Sequence, residues 1–236
     1  MLKKIVFSVS ICLLFIGTTF AQFGFNVGYN VNNAADWKIT GTNDQEIIAD
    51  FHTNSMAFGL DYWFRLKNYR IEFTPEINFS SATAKNTLDE IDIETTLRTY
   101  SFFFNTNFYI FEFKGDCNCP TFSKPGLELE KGVFIRLSPG VALANGQFKT
   151  SSKTFINNSL AFSIAAGIGL DLGISDFITL TPIIMYRYYP DVKWEYLSPL
   201  STSQAASTEW TYPKESSAIS QIYGGIRLGI RFDYRK

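Results

Sequence analysis

Residues 221–234 read Q-I-Y-G-G-I-R-L-G-I-R-F-D-Y, and the alternation in this stretch decides the fold. Ile222, Gly224, Ile226, Leu228, Ile230, Phe232 and Tyr234 alternate with Gln221, Tyr223, Gly225, Arg227, Gly229, Arg231 and Asp233. Successive side chains of a strand point to opposite faces, so the segment has an apolar face and a face carrying two arginines. Soluble strands usually run to about five or six residues. A pattern of this length fits a tilted strand that crosses a bilayer. Such a strand must be paired along both edges, because lipid offers its backbone no hydrogen bonds.

Working back toward the N-terminus, the same alternation recurs seven times. Residues 177–189 place Ile178, Leu180, Pro182, Ile184, Tyr186 and Tyr188 on one face and Arg187 on the other. The tight turn Ser175-Asp176 joins them to 158–173, and residues 132–144, 97–110 and 69–80 follow in reverse order. A second tight turn, Lys67-Asn68, leads to 55–66, and 22–31 is the first strand. The expected fold is therefore all-β: an eight-stranded, up-and-down, antiparallel transmembrane β-barrel spanning 22–236. An even count lets the first and last strands pair and leaves no open edge. The segments 32–54, 81–96, 145–157 and 190–216 read as long loops. Short turns of such barrels face the periplasm and long loops face outside.

The N-terminus agrees with that compartment. Lys3-Lys4 precedes an apolar run at 5–16, and Thr19-Phe20-Ala21 ends the segment, so residues 1–21 read as a signal peptide cut before Gln22. Cys12 lies inside the apolar run, which argues against lipidation. Aromatics make up 17% of the chain and the formal net charge is -1, which suggests no nucleic-acid partner. The expected location is a bacterial outer membrane, with its lipid as the first partner.

The inward face carries Asp61, Arg65, Arg70, Glu72, Glu76, Arg98, Arg136, Asp171, Arg187, Arg227, Arg231 and Asp233. An eight-stranded lumen is only wide enough for side chains, so these charges read as a hydrogen-bonded network that fills it. A narrow ion path or a catalytic carboxylate pair are the alternatives. His52, near Asp50, reads as a surface histidine. With no second histidine and no Gly-x-Ser-x-Gly, neither a triad nor a histidine metal site is supported, and no cofactor or enzymatic activity is expected. Trp37, Trp194, Tyr196, Trp210 and Tyr212 fall in the outer loops, as a binding surface or as anchors among lipid headgroups. Thr74-Pro75, Ser138-Pro139 and Thr181-Pro182 sit at matched depths, which suggests bulges or bends. Residues 111–131 form an insertion where a short turn would suffice. Its Cys117-x-Cys119 reads as a disulfide in an oxidising compartment; a redox role, free thiols and pairing with another chain stay open.

The segments FGFNVGYN (23–30), YRIEFTPEINFS (69–80) and RLSPGV (136–141), with the Gly-rich closing strand, resemble the small PorT-like outer-membrane β-barrel proteins of Bacteroidota. The resemblance covers nearly all of 22–236, with the insertion at 111–131 as its departure. Gly229-x-x-Phe232-x-Tyr234 also resembles the C-terminal recognition signal of outer-membrane barrels, although Arg235 and Lys236 overhang it. The family resemblance implies porin-like proteins with a link to type IX secretion. The expected role is a non-enzymatic outer-membrane scaffold, an accessory subunit of a secretion or membrane-assembly complex with other outer-membrane or periplasmic subunits as partners. A small porin-like channel is the alternative.

Overall fold

The computed structural model describes residues 22–41, 47–66, 69–88, 91–111, 132–150, 153–175, 177–195, 197, 210–211 and 213–231. The expected signal peptide, residues 112–131 with Cys117 and Cys119, the turn 67–68, Asp176, Tyr196, Tyr212 and residues 232–236 lie outside the described residues.

Strands are numbered in chain order. The wall consists of β1 (Gln22–Ala34), β4 (Ser55–Arg65), β5 (Ile71–Leu88), β6 (Ile91–Tyr109), β7 (Val133–Thr150), β8 (Thr154–Leu170), β10 (Ile178–Lys193) and β12 (Ser216–Arg231). A two-residue strand, β9 (Leu172–Gly173), continues β8 beyond Asp171. Each long strand pairs antiparallel with its neighbour in the chain, and β12 pairs with both β10 and β1, so the sheet closes as an eight-stranded barrel. Going round the wall in register from Phe23 leads through Tyr62, Pro75, Phe104, Pro139, Ile164, Tyr188 and Ser220 back to β1 at Asn33, ten residues further along. That offset is the shear that tilts every strand against the barrel axis.

The outer surface is an apolar girdle. On β5 the outward residues Ile71, Phe73, Pro75, Ile77 and Phe79 are followed by Ser81. The same boundary falls after Val31, Met56, Tyr100, Leu143, Leu160, Tyr188 and Ile222 on the other seven strands. Five outward positions on a tilted strand match the roughly 25 Å apolar band of outer-membrane barrels. The girdle makes this a transmembrane barrel of the outer-membrane type.

Above the girdle the wall continues, and here the expected loops are corrected. Residues 81–88 extend β5, 91–96 begin β6, 145–150 extend β7 and 154–157 begin β8. Outside the bilayer the outward face is no longer a continuous apolar stripe, and inward Ala82, Ala84, Ile93 and Phe148 are buried instead, so the apolar-out alternation fades while the ladder persists. Thr83 faces Thr96, and Lys85 faces Glu94 with an ion pair of 3.8 Å. Between β8 and β10 the ladder ends at Ile164 and Tyr188, near the top of the girdle.

The three prolines also differ from expectation. No register shift occurs at them; each interrupts one ladder for two residues. The gaps place Thr74-Pro75 opposite Tyr62-Trp63, Ser138-Pro139 opposite Phe104-Asn105, and Thr181-Pro182 opposite Leu170-Asp171. On the other edge of each strand the ladder runs through the proline unbroken. Proline lacks the N–H that one of its two ladders needs, and losing it does not require an extra residue.

Candidate functional site

The inward faces build a polar filling in three levels. At the end with the short turns, Glu72 Oε2 accepts hydrogen bonds from Trp63 Nε1 and Tyr109 Oη, each at 2.7 Å. Arg70 lies 4.2 Å from the Tyr109 ring centre, and Asp171 Oδ1 accepts from Thr181 Oγ1 at 2.9 Å. At mid-depth Arg227 grips Asp61 with two hydrogen bonds of 2.8 and 2.7 Å, and Asn26 Nδ2 donates to the same carboxylate at 2.8 Å. Glu76 accepts from Asn78 and Asn105 at 2.8 and 2.9 Å. Arg136 donates to Asn107 Oδ1 at 2.8 Å and to Thr74 Oγ1 at 3.4 Å. The third level is a stack: Arg187 lies 3.7 Å from the Phe103 ring centre and 6.0 Å from that of Tyr223, and donates to Gln221 at 3.1 Å.

Small residues make room for these large ones. A Cβ on Gly28 or Gly225 would run into the Tyr223 ring, and one on Gly24 would strike both Arg227 and Asp61. Among the described residues lie two cavities of about 20 Å³ each, one beside Glu72 and Asp171 and one lined by His52, Tyr189 and Gln221. Such a volume holds about one water molecule.

Over the upper cavity sits a cap. A 3-10 turn (Ala35–Trp37) leads into β2 (Lys38–Gly41), which pairs with β3 (Ile47–Asp50) and β11 (Trp210–Thr211). Trp37 and Trp194 are both 0% exposed, with ring centres 5.2 Å apart in an edge-to-face contact. They join Ile39, Phe51, Phe148 and Leu197 in one buried cluster. The expectation that Trp37 and Trp194 lie on the loop surface is thus corrected: they are the core of the cap. His52 is corrected in the same way. It is buried, its ring 5.7 Å from Trp37, and burial pushes its pKa down to about 4.

Of the other expected lumen residues, Arg65 lines the lower cavity, and Arg231 faces Gln22 in the β12–β1 ladder. Arg98 is a further correction. It is exposed on the outer face, in register with Ser81 and Asn145, because it shares a face with Tyr100 and Phe102. The cap core was missed because its partners come from segments far apart in the chain; the run of buried Ala142, Ala144 and Ala161 facing them is the only local sign. Among the described residues, no three of His, Cys, Asp and Glu converge as a metal would need.

No protein family matches the chain. No curated protein matches it either. Among solved structures, the attachment invasion locus protein Ail of Yersinia pestis is 10% identical, with a TM-score of 0.45 over 90% of this chain and 100% of that one. Neisserial surface protein A is 9% identical with a TM-score of 0.40, covering 90% and 97% of the two chains. The outer membrane protease OmpT of Escherichia coli is 5% identical with a TM-score of 0.42, covering 90% and 97%. At such identities and scores these likenesses carry no weight for what the barrel does. The closed ladder and the girdle establish the architecture on their own.

Proposed function

We propose that this chain is a non-enzymatic outer-membrane scaffold with a sealed lumen, serving as an accessory subunit of a secretion or membrane-assembly complex. One observation carries the reading: the Asp61–Arg227, Glu76–Asn105 and Arg136–Asn107 contacts fill the barrel at mid-girdle, with cavities of only about 20 Å³ to either side. The carboxylates in that filling are held by amides, an indole, a phenol, a hydroxyl and a guanidinium, and among the described residues the cavity beside Glu72 and Asp171 holds about one water molecule. In this reading residues 1–21 direct export, the short turns face the periplasm, and residues 111–131, which connect β6 to β7 at the same end, are the contact for other subunits. The resemblance of 69–80 and 136–141 to PorT-like proteins supports the secretion role. Planar-bilayer recording tests the sealed lumen. The wild-type barrel is expected to insert without discrete current steps. Stable steps of one conductance would transfer the reading to a small porin-like channel.

A further inference from the structure

Directly above the girdle the outward positions are Asn33, Ser81, Arg98, Asn145, Asn158, Pro190 and Ser220 on seven strands, with Asn54 just outside β4. Arg98 is the one charge in this ring. It is exposed, and among the described residues it has no ion-pair partner. Its in-register neighbours, Ser81 on β5 and Asn145 on β7, are neutral, and Asn145 donates to Asn158 Oδ1 at 2.7 Å. The diagonal positions are Phe79, Thr83, Leu143 and Gln147. The acid nearest along the strand, Glu94, lies four positions up, in register with Lys85 and Lys149 on either side. Below Arg98 is Tyr100, an exposed girdle aromatic.

We infer that Arg98, with the hydroxyl and amides of Ser81, Asn145 and Asn158, forms a docking surface for the phosphate of an anionic lipid headgroup in the leaflet at the capped end. Continuity with the girdle names the occupant. Lipid tails cover Tyr100 and Leu143, so the group that meets Arg98 one position higher belongs to the same molecules. A guanidinium presents a planar fork that pairs two ways with phosphate oxygens, and neutral donors a strand's spacing away can reach the remaining ones. Lys149 above adds to the positive field without filling the site. The buried Arg227 has Asp61 as its counter-charge and Arg136 and Arg187 have neutral acceptors and rings around them; Arg98, exposed at headgroup height, leaves its partner to be supplied by the membrane.

The full chain is folded into vesicles of phosphatidylcholine alone, or of phosphatidylcholine with phosphatidic acid, and its thermal midpoint is read from the heat-modifiable band. The wild type is expected to gain roughly 2–4 °C in the acidic vesicles. Arg98→Ala should lose most of that gain while matching the wild type in phosphatidylcholine, and Lys153→Ala, at the far hairpin, should keep it. An unchanged gain in Arg98→Ala, or no gain in the wild type, overturns the proposal. Inorganic phosphate added to phosphatidylcholine vesicles should give no gain; if it does, the site takes free phosphate and the lipid assignment is wrong. Native mass spectrometry is the second readout, with the wild type expected to retain more phosphatidic acid than Arg98→Gln, and equal retention counting against the site.

Discussion

His52 has its backbone N–H bonded to Asp50 Oδ1 at 3.0 Å, its ring against Trp37, and Nδ1 buried without a protein partner. Burial favours the neutral ring, so the native pKa of about 4 lies below the ordinary value of about 6.5. Between those values the unfolded chain binds the proton and the native cap does not, so cap stability falls as pH drops through that window and is fully present above it. The loss reaches about 3 kcal/mol at most. Tryptophan fluorescence of the cap should shift in that range, and a His52→Leu chain following the same curve would sink the idea. The Asp61–Arg227 pair makes a second case at this scale. Both side chains are buried, at 1% and 7% exposure, so Asp61→Asn leaves an uncompensated cation and should cost about 3–5 kcal/mol in unfolding from detergent or lipid. A cost below 1 kcal/mol would mean that Arg227 finds another acceptor. These two residues also show what the sequence withheld. Inward placement of Asp61 and Arg227 follows from alternation alone. Their pairing depends on the ten-residue shear, which no single strand reveals, and His52 is buried by Trp37 and a cap drawn from three separate segments.

At the level of a strand, β8 gives the cleanest test of faces. Ile164 is 64% exposed and points to lipid, while Ser163 next to it is buried in the lumen. Ile164→Arg should cost roughly 2–4 kcal/mol by placing a charge in hydrocarbon. Ser163→Arg should be penalised by space instead, and its cost should not depend on bilayer thickness. If Ile164→Arg unfolds at the wild-type denaturant concentration, the face assignment of β8 is wrong. The β strands were legible wherever lipid sits on one side, because only there does burial demand strict alternation. In Thr83-Ala84-Lys85-Asn86 the chemical contrast between faces is weak, yet Thr83 through Asn86 still pair with β6. The ladder needs only backbone, so it outruns the pattern that announces it.

For the molecule as a whole, orientation and the insertion are the open tests. A cysteine placed at position 204 should react with an impermeant reagent on intact cells and one at position 67 should not; the reverse would invert the barrel. Tyr109 and Phe134 are paired across β6 and β7, so a short turn can already join those strands. Deleting 112–130 with a Gly-Asn bridge should therefore leave a heat-modifiable barrel while removing co-purifying subunits, and a deletion that keeps every partner removes the case for that segment as their contact. The three proline gaps carry a consequence for how this wall moves. They fall on the β4–β5, β6–β7 and β8–β10 boundaries, whereas within the girdle β5–β6, β7–β8 and β10–β12–β1–β4 are joined without a break. The barrel is coopered from three staves. Each stave is held by an unbroken ladder within the girdle, so flexing should concentrate at the three joints, which lie level with the lumen's polar filling; at the β8–β10 joint Thr181 Oγ1 still donates to Asp171 Oδ1 across the gap.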